Sequence, residues 1–157
     1  MLTDAIAWRM QDLPNEPDFY GYVLDKLAKF NRAFQFDYNV VEKNNIGTTI
    51  INTLKYKYKI PVIPITTSNR VTNPKTLQSG KVMNKDETIA WINRLRMAGI
   101  IEFPETMTKG LMMLRDQLDN FGAKQTKQGK TVYEALKGHD DLVMALALNV
   151  HFQWLES

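Results

Sequence analysis

The 157-residue chain contains no cysteine. It therefore has no disulfide framework, no thiolate zinc site and no sulfur nucleophile. It also lacks any apolar run near the roughly 18 residues that a membrane-spanning helix needs. Its opening residues, Met1-Leu-Thr-Asp-Ala-Ile-Ala-Trp8, show no basic stretch ahead of a long apolar one. That is not the pattern of a secretory leader, so an intracellular protein is expected. Repeats, low-complexity tracts and linker-like segments are missing as well, and a single domain over 1–157 is expected. Neither sign of charge dominates: 20 Lys+Arg against 17 Asp+Glu leave a net +3. The pI near 9.0 permits an anionic partner without demanding one.

What is present is 44% apolar residues, enough for a real core. Strand-like and helix-like runs alternate, which predicts an α/β fold with one sheet covered by helices. Ala5–Met10 reads as a strand. A helix follows, with Asn15 as N-cap, Pro17 in its first turn, and Phe19, Val23, Leu27, Phe30 and Phe34 on its apolar face. Tyr38–Glu42 reads as a strand, Asn44–Gly47 as a turn, and 48–58 as a helix with Ile50, Ile51, Leu54 and Tyr58 inward. The prolines of Pro61–Ile65 suggest a short or edge strand. Thr66–Lys81 reads as a long basic loop. Asn84-Lys-Asp-Glu87 is a capping-box pattern ahead of a stripe of Ile89, Ile92 and Leu95, and Gly99 is a helix stop. Ile100–Phe103 reads as a strand. Thr108 opens a helix with Leu111, Leu114, Leu118 and Phe121 inward. Ala123–Lys130 reads as a second basic loop. The last helix runs from Asp140 or Asp141 to about Trp154, and its Ala145, Ala147 and Leu148 suit a close approach to a sheet. Trp8, Trp91 and Trp154 read as core, as do Met112 and Met113.

Two places carry chemistry. In Val40-Val-Glu42-Lys-Asn44-Asn-Ile-Gly47 a carboxylate ends a strand and a glycine-containing turn leads into a helix. α/β proteins place ligands at that edge of a sheet. The plain alternative is a solvated glutamate in an ordinary loop. In Gly138-His139-Asp140-Asp141-Leu142 two acids open a helix. The plain alternative there is a doubly acidic N-cap, favoured by the helix dipole. Acids brought together from both places would repel unless a cation sat among them, and all-oxygen ligands favour Mg²⁺ or Mn²⁺. Two such ions can form a phosphodiester-cleaving site.

At these residues the chain resembles the C-terminal nuclease domain of the large terminase subunit of tailed bacteriophages. The likeness rests on Val40–Gly47 and on Gly138-His-Asp-Asp-Leu-Val-Met-Ala-Leu146, in that order, and covers nearly the whole chain. It implies a ribonuclease H-like fold, a mixed sheet flanked by helices. It implies Mg²⁺- or Mn²⁺-dependent endonucleolytic cleavage of double-stranded DNA during phage or prophage genome packaging. Glu42 and Asp141 would be metal ligands, and Asp140 would belong to the catalytic group. His139 would lie beside the site, and Asn44 and Gly47 would shape it. Partners would be double-stranded DNA, the packaging ATPase domain and the portal, in the cytoplasm of a bacterial host and with no membrane involved. No Gly-x-x-x-x-Gly-Lys-[Ser/Thr] phosphate loop occurs in the chain.

The family carries an earlier catalytic aspartate on a first strand that this sequence does not match. Asp4 is an expected auxiliary acid. On that reading the first strand is missing, nuclease activity of the chain alone is weak or nil, and an exposed sheet edge invites a homodimer. Arg70, Lys75, Lys81, Lys124, Lys127 and Lys130 are the expected DNA contacts, through phosphates and without sequence preference. Lys55, Lys57 and Lys59, alternating with Tyr56 and Tyr58, are a further basic stretch. The plain alternative is a solvated basic surface. Rival readings are a non-catalytic DNA-binding or structural remnant of the same fold, and a Holliday-junction resolvase-like nuclease.

Overall fold

The structure is a computed structural model that describes residues 1–68, 82–125, 127–129, 131–135 and 140–156. The fold is mixed α/β, and the chain divides into two compact units, Trp8–Thr67 and Met1–Ala7 with Ser68–Ser157.

In the Trp8–Thr67 unit, helix α1 spans Phe19–Phe34. Its N-cap is Asp18, whose carboxylate accepts the Gly21 N–H at 2.9 Å, three residues past the expected Asn15. Pro17 thus precedes the helix. The buried stripe is also displaced by one position, to Leu24 and Ala28, while Phe34 is 67% exposed. Leu24 and Ala28 pack with Ile51, Leu54, Ile60 and Val62, and Val41, Ile50 and Tyr58 close over that cluster. Phe30 and Phe34 turn instead to an aromatic run: Trp8 stacks on Phe30 at 6.1 Å and Phe34 on Phe36 at 5.9 Å.

Strand β1 (Val40–Glu42) pairs in parallel with β2 (Ile63–Ser68), in the register Val40↔Ile63, Val41↔Pro64, Glu42↔Ile65. Helix α2 (Gly47–Tyr56) is the crossover between them. The Ile63 N–H donates to Asn39 O, and Ile65 O accepts the Lys43 N–H, each at 2.8 Å. Pro64 falls between these two residues, so its missing N–H is not needed by the β1 ladder.

In the other unit, β3 (Val82–Asn84) leads into α3 (Lys85–Met97). The expected cap is present: Asn84 Oδ1 accepts the Glu87 N–H at 3.1 Å. Gly99, at φ +70°, ends the helix where only glycine is unstrained. Helix α4 (Lys109–Asp119) is capped by the Thr108 hydroxyl and buries Leu111, Leu114 and Leu118. Strands β4 (Phe121–Gln125) and β5 (Thr131–Ala135) form an antiparallel hairpin. Helix α5 (Asp141–Glu156) packs on α3 and α4. It buries Leu142, Val143, Leu146, Ala147 and Leu148, and full burial of a Val or Leu side chain is worth about 1.5–3 kcal/mol. Ala147 is buried and Ala145 exposed.

Several expected elements are different. Ala5–Met10 is not a strand. Its neighbourhood contributes a backbone bond from Leu2 N–H to Glu102 O, and the chain then closes a 3-10 turn at Met10–Asp12. Ile100–Phe103 is not a strand either, because the N–H groups of Ile100 and Ile101 both turn back to Leu95 O to finish α3. The segment expected as a basic loop at 123–130 is largely hairpin. Thr131, Val132 and Tyr133 favour a strand, and Gly129 supplies φ +77° at the turn. Phe121 opens that hairpin and is not on the helix. No described helix is long and apolar enough to cross a membrane.

Candidate functional site

The parallel ladder places Glu42 at the C-terminal end of β1, directly opposite Ile65. Residues opposite in register and two apart along a strand share one face. Thr67 therefore falls on the same face as Glu42, at the C-terminal end of β2. Its hydroxyl donates to Glu42 Oε1. Asn44, two residues beyond Glu42, closes a triangle. Its Nδ2 donates to Glu42 Oε1 at 3.1 Å, to Thr67 Oγ1 at 2.7 Å and to Thr67 O at 3.2 Å. An amide nitrogen only donates. Thr67 Oγ1 must then accept from Asn44 and give its own proton to Glu42. All three side chains are half-buried.

The turn beneath them is equally determined. Asn45 has φ +51°, a left-handed conformation that asparagine tolerates better than most residues. The Gly47 N–H donates to Asn44 O at 2.9 Å. A Cβ on Gly47 would run into the main-chain carbonyl of Glu42. Glycine at that position lets α2 start directly under the carboxylate-bearing strand end. Glu42, Asn44 and Gly47, read as one motif in the sequence, are thus brought together.

The second acidic place lies in the other unit. Asp140 is half-buried and Asp141 is exposed as the first residue of α5. The first N–H groups of a helix need acceptors, and neither acid is the one shown serving Leu142 and Val143. Gln117 of α4 does so, its Oε1 accepting Leu142 N–H at 3.0 Å and Val143 N–H at 3.3 Å. Asp140 instead meets Lys85 Nζ at 3.3 Å, with both side chains about a quarter to a third exposed (24% and 30%). Lys85 Nζ also sits 5.9 Å from the centre of the Phe121 ring. The doubly acidic N-cap is therefore replaced by a glutamine cap that leaves the acids available.

Thr67, Lys85 and Gln117 were not legible as site residues. The only signal for Thr67 was strand alternation, Ile63-x-Ile65-x-Thr67, once Ile65 is placed opposite Glu42. Asp4 accepts from the Thr108 hydroxyl at 2.6 Å and so belongs to the start of α4. His139, Arg70, Lys75, Lys81 and Lys130 lie outside the described residues. Lys124 is in β4, its backbone opposite Val132, and Lys127 is exposed. Lys55, Lys57 and Lys59 are exposed, with Lys57 Nζ 5.2 Å from the Tyr58 ring centre. Trp91 is not core: it is 37% exposed and carries Arg94 over its ring at 5.7 Å. Trp8 is half-buried on Phe30, and Met112 is 42% exposed.

Elsewhere, Tyr58 Oη donates to Asp25 Oδ1 at 2.5 Å. That hydrogen bond, more than desolvation or charge, raises the Tyr58 phenol above its ordinary value of 10.0. Among the described residues, no three His, Asp or Glu side chains gather closely enough to hold a metal ion. The donors that are placed are hard carboxylate oxygens, a chemistry that suits Mg²⁺ or Mn²⁺ over softer metals. Comparison of the chain with known protein families, with curated proteins and with solved structures found no match.

Proposed function

We propose that this chain is a nuclease domain of the terminase large-subunit type, with a ribonuclease H-like fold and Mg²⁺- or Mn²⁺-dependent phosphodiester hydrolysis as its chemistry. The observation that carries the reading is the Glu-x-Asn-x-x-Gly motif. Each of its three residues has a separate physical task around one carboxylate. Glu42 presents the charge, Asn44 ties one of its oxygens, and Gly47 admits the helix beneath it. A carboxylate so placed, at the C-terminal end of a parallel strand, is where α/β folds bind ligands.

On this reading Glu42 and Asp141 hold the metal, which when bound supplies an activated water and neutralises developing phosphate charge. Asp140 supports the site through its pairing with Lys85. The substrate is double-stranded DNA, met by Arg70, Lys75, Lys81, Lys124, Lys127 and Lys130 through its phosphates. The wider partners are the packaging ATPase domain and the portal, in the cytoplasm of a bacterial host. The test is Mn²⁺ titration of the chain by calorimetry, with Glu42→Gln and Asp141→Asn. Each substitution is expected to weaken uptake at least about 10-fold. Uptake equal to wild type in both would remove the metal site.

The Lys85–Asp140 pair favours a second reading, a non-catalytic DNA-binding module of the same fold. A lysine already neutralises one acid, and so does part of what a cation would do. Salt-sensitive DNA binding that persists in EDTA, with no Mn²⁺ uptake, would select this reading over the first.

A further inference from the structure

We infer that Thr67 is a positioning residue for Glu42: it fixes the carboxylate so that Oε2 is the oxygen offered to a divalent cation. The inference deepens the metal-site reading above and rests on it. Its basis is the direction of each proton. Asn44 Nδ2 donates to Thr67 Oγ1 and to Glu42 Oε1, so the Thr67 hydroxyl proton is committed to that same Oε1. Oε1 thus accepts from two donors on two different elements, one in the turn after β1 and one at the end of β2. Among the described residues no hydrogen bond engages Oε2. A carboxylate held by one oxygen cannot rotate freely about its terminal torsion, which is otherwise broad. The other oxygen then points in one direction. Residues that hydrogen-bond a ligating group usually decide whether that ligand is preorganised, and losing one typically costs 10–100-fold in metal affinity.

Threonine suits the task for two reasons. Its β-branched side chain has few χ1 wells and is at home at a strand end. Its hydroxyl can accept from Asn44 and donate to Glu42 at once, which neither valine nor alanine can do.

The experiment uses the full 157-residue chain, with Mn²⁺ as the probe. Binding is followed by paramagnetic broadening of NMR resonances and by calorimetry. The proteins compared are wild type, Thr67→Val, Thr67→Ala, Thr67→Ser and Glu42→Gln, with melting temperature recorded for each. Thr67→Val keeps the shape and loses the hydroxyl, and Thr67→Ala loses the hydroxyl without adding a methyl group. The expected result is a 10–100-fold weaker Mn²⁺ affinity in the Val and Ala variants at nearly unchanged melting temperature, with Thr67→Ser close to wild type. Wild-type affinity in Thr67→Val or Thr67→Ala, alongside lost affinity in Glu42→Gln, would overturn the positioning role and leave the metal reading standing. Thr67→Ser as weak as the other two, with all three melting early, would reduce Thr67 to a structural residue. Wild-type chain that takes up no Mn²⁺ would overturn the metal reading, and the cation role of Thr67 with it.

Discussion

The side-chain carbonyl of Gln117 accepts the main-chain N–H of Leu142 at 3.0 Å, so one helix supplies the N-terminal cap of another. An acceptor from α4 does for α5 what a serine or aspartate at its own N-cap ordinarily does. Removing it would leave two N–H groups at a half-buried helix start short of an acceptor. Gln117→Leu is therefore expected to cost about 1–2 kcal/mol in chemical denaturation, the range of lost caps. Asp141→Asn, at an exposed side chain, is expected to cost less than about 1 kcal/mol, the size of a surface dipole contribution. The reverse order would return the capping role to the acids.

Two glycines should respond differently to alanine, for different reasons. Gly99 has φ +70° and open space around it, so Gly99→Ala meets only backbone strain, about 1–2 kcal/mol. Gly47 has helical surroundings but no room, because a Cβ would meet the Glu42 carbonyl. Main-chain atoms cannot step aside as a flexible side chain can, so Gly47→Ala should displace the strand end. Its cost is expected in the range of overpacking, about 1–3 kcal/mol, and it alone of the two should disturb the Glu42, Asn44 and Thr67 resonances. Equal and purely local effects of the two substitutions would show that Gly47 is not seated against Glu42.

The parts of this fold that were legible in the sequence are those whose chemistry is local. The Asn84 cap, the Thr108 cap and the Gly99 stop are written within three or four residues of the helix ends they serve. The Glu42, Asn44 and Gly47 constellation is local too, and was found. Thr67 and Gln117 are each 25 residues from their partners, and Lys85 is 55 from Asp140. No pattern within a window points to them. The strands expected at 5–10 and 100–103 were apolar runs whose N–H groups the tertiary structure spends on turns and a helix end. The displaced face of α1 has a similar cause. Phenylalanines flank Leu24 and Ala28, and periodicity alone cannot say which of two adjacent apolar stripes faces Ile51 and Leu54.

Tyr58 gives a prediction in alkaline solution. Its phenol is raised chiefly because the Asp25 carboxylate accepts its proton in a hydrogen bond that tyrosinate cannot make. A group whose folded value lies above its unfolded value stabilises the fold fully below the unfolded value. That contribution is lost as pH rises through the folded one. Stability supplied by this contact should therefore hold at neutral pH and fade as the solution passes 10.0 and the raised value above it. In an absorbance titration of tyrosinate, the phase lost in Tyr58→Phe should move down in Asp25→Asn. No movement would mean the pair is open in solution.

Lys85 tests how the acidic helix start balances its charge. It places an ammonium 3.3 Å from Asp140, yet it is itself the first residue of α3, where the helix dipole disfavours a cation. The pair is partly exposed, and such pairs contribute about 0–1 kcal/mol. Lys85→Met, which keeps much of the stem that lies near Phe121, should therefore change stability by less than about 1 kcal/mol. Its effect on ligand charge should be larger. Removing the resident cation leaves Asp140 unneutralised, so a divalent cation at the Asp140–Asp141 helix start meets more negative charge. On the nuclease reading, Mn²⁺ affinity measured by calorimetry should rise in Lys85→Met, and the gain should shrink with added salt as screening increases. Falling Mn²⁺ affinity with stability unchanged would mean that Lys85 orients Asp140 for the metal. A large loss of stability would make the pair a structural strut, and the case for a cation at this helix start would weaken.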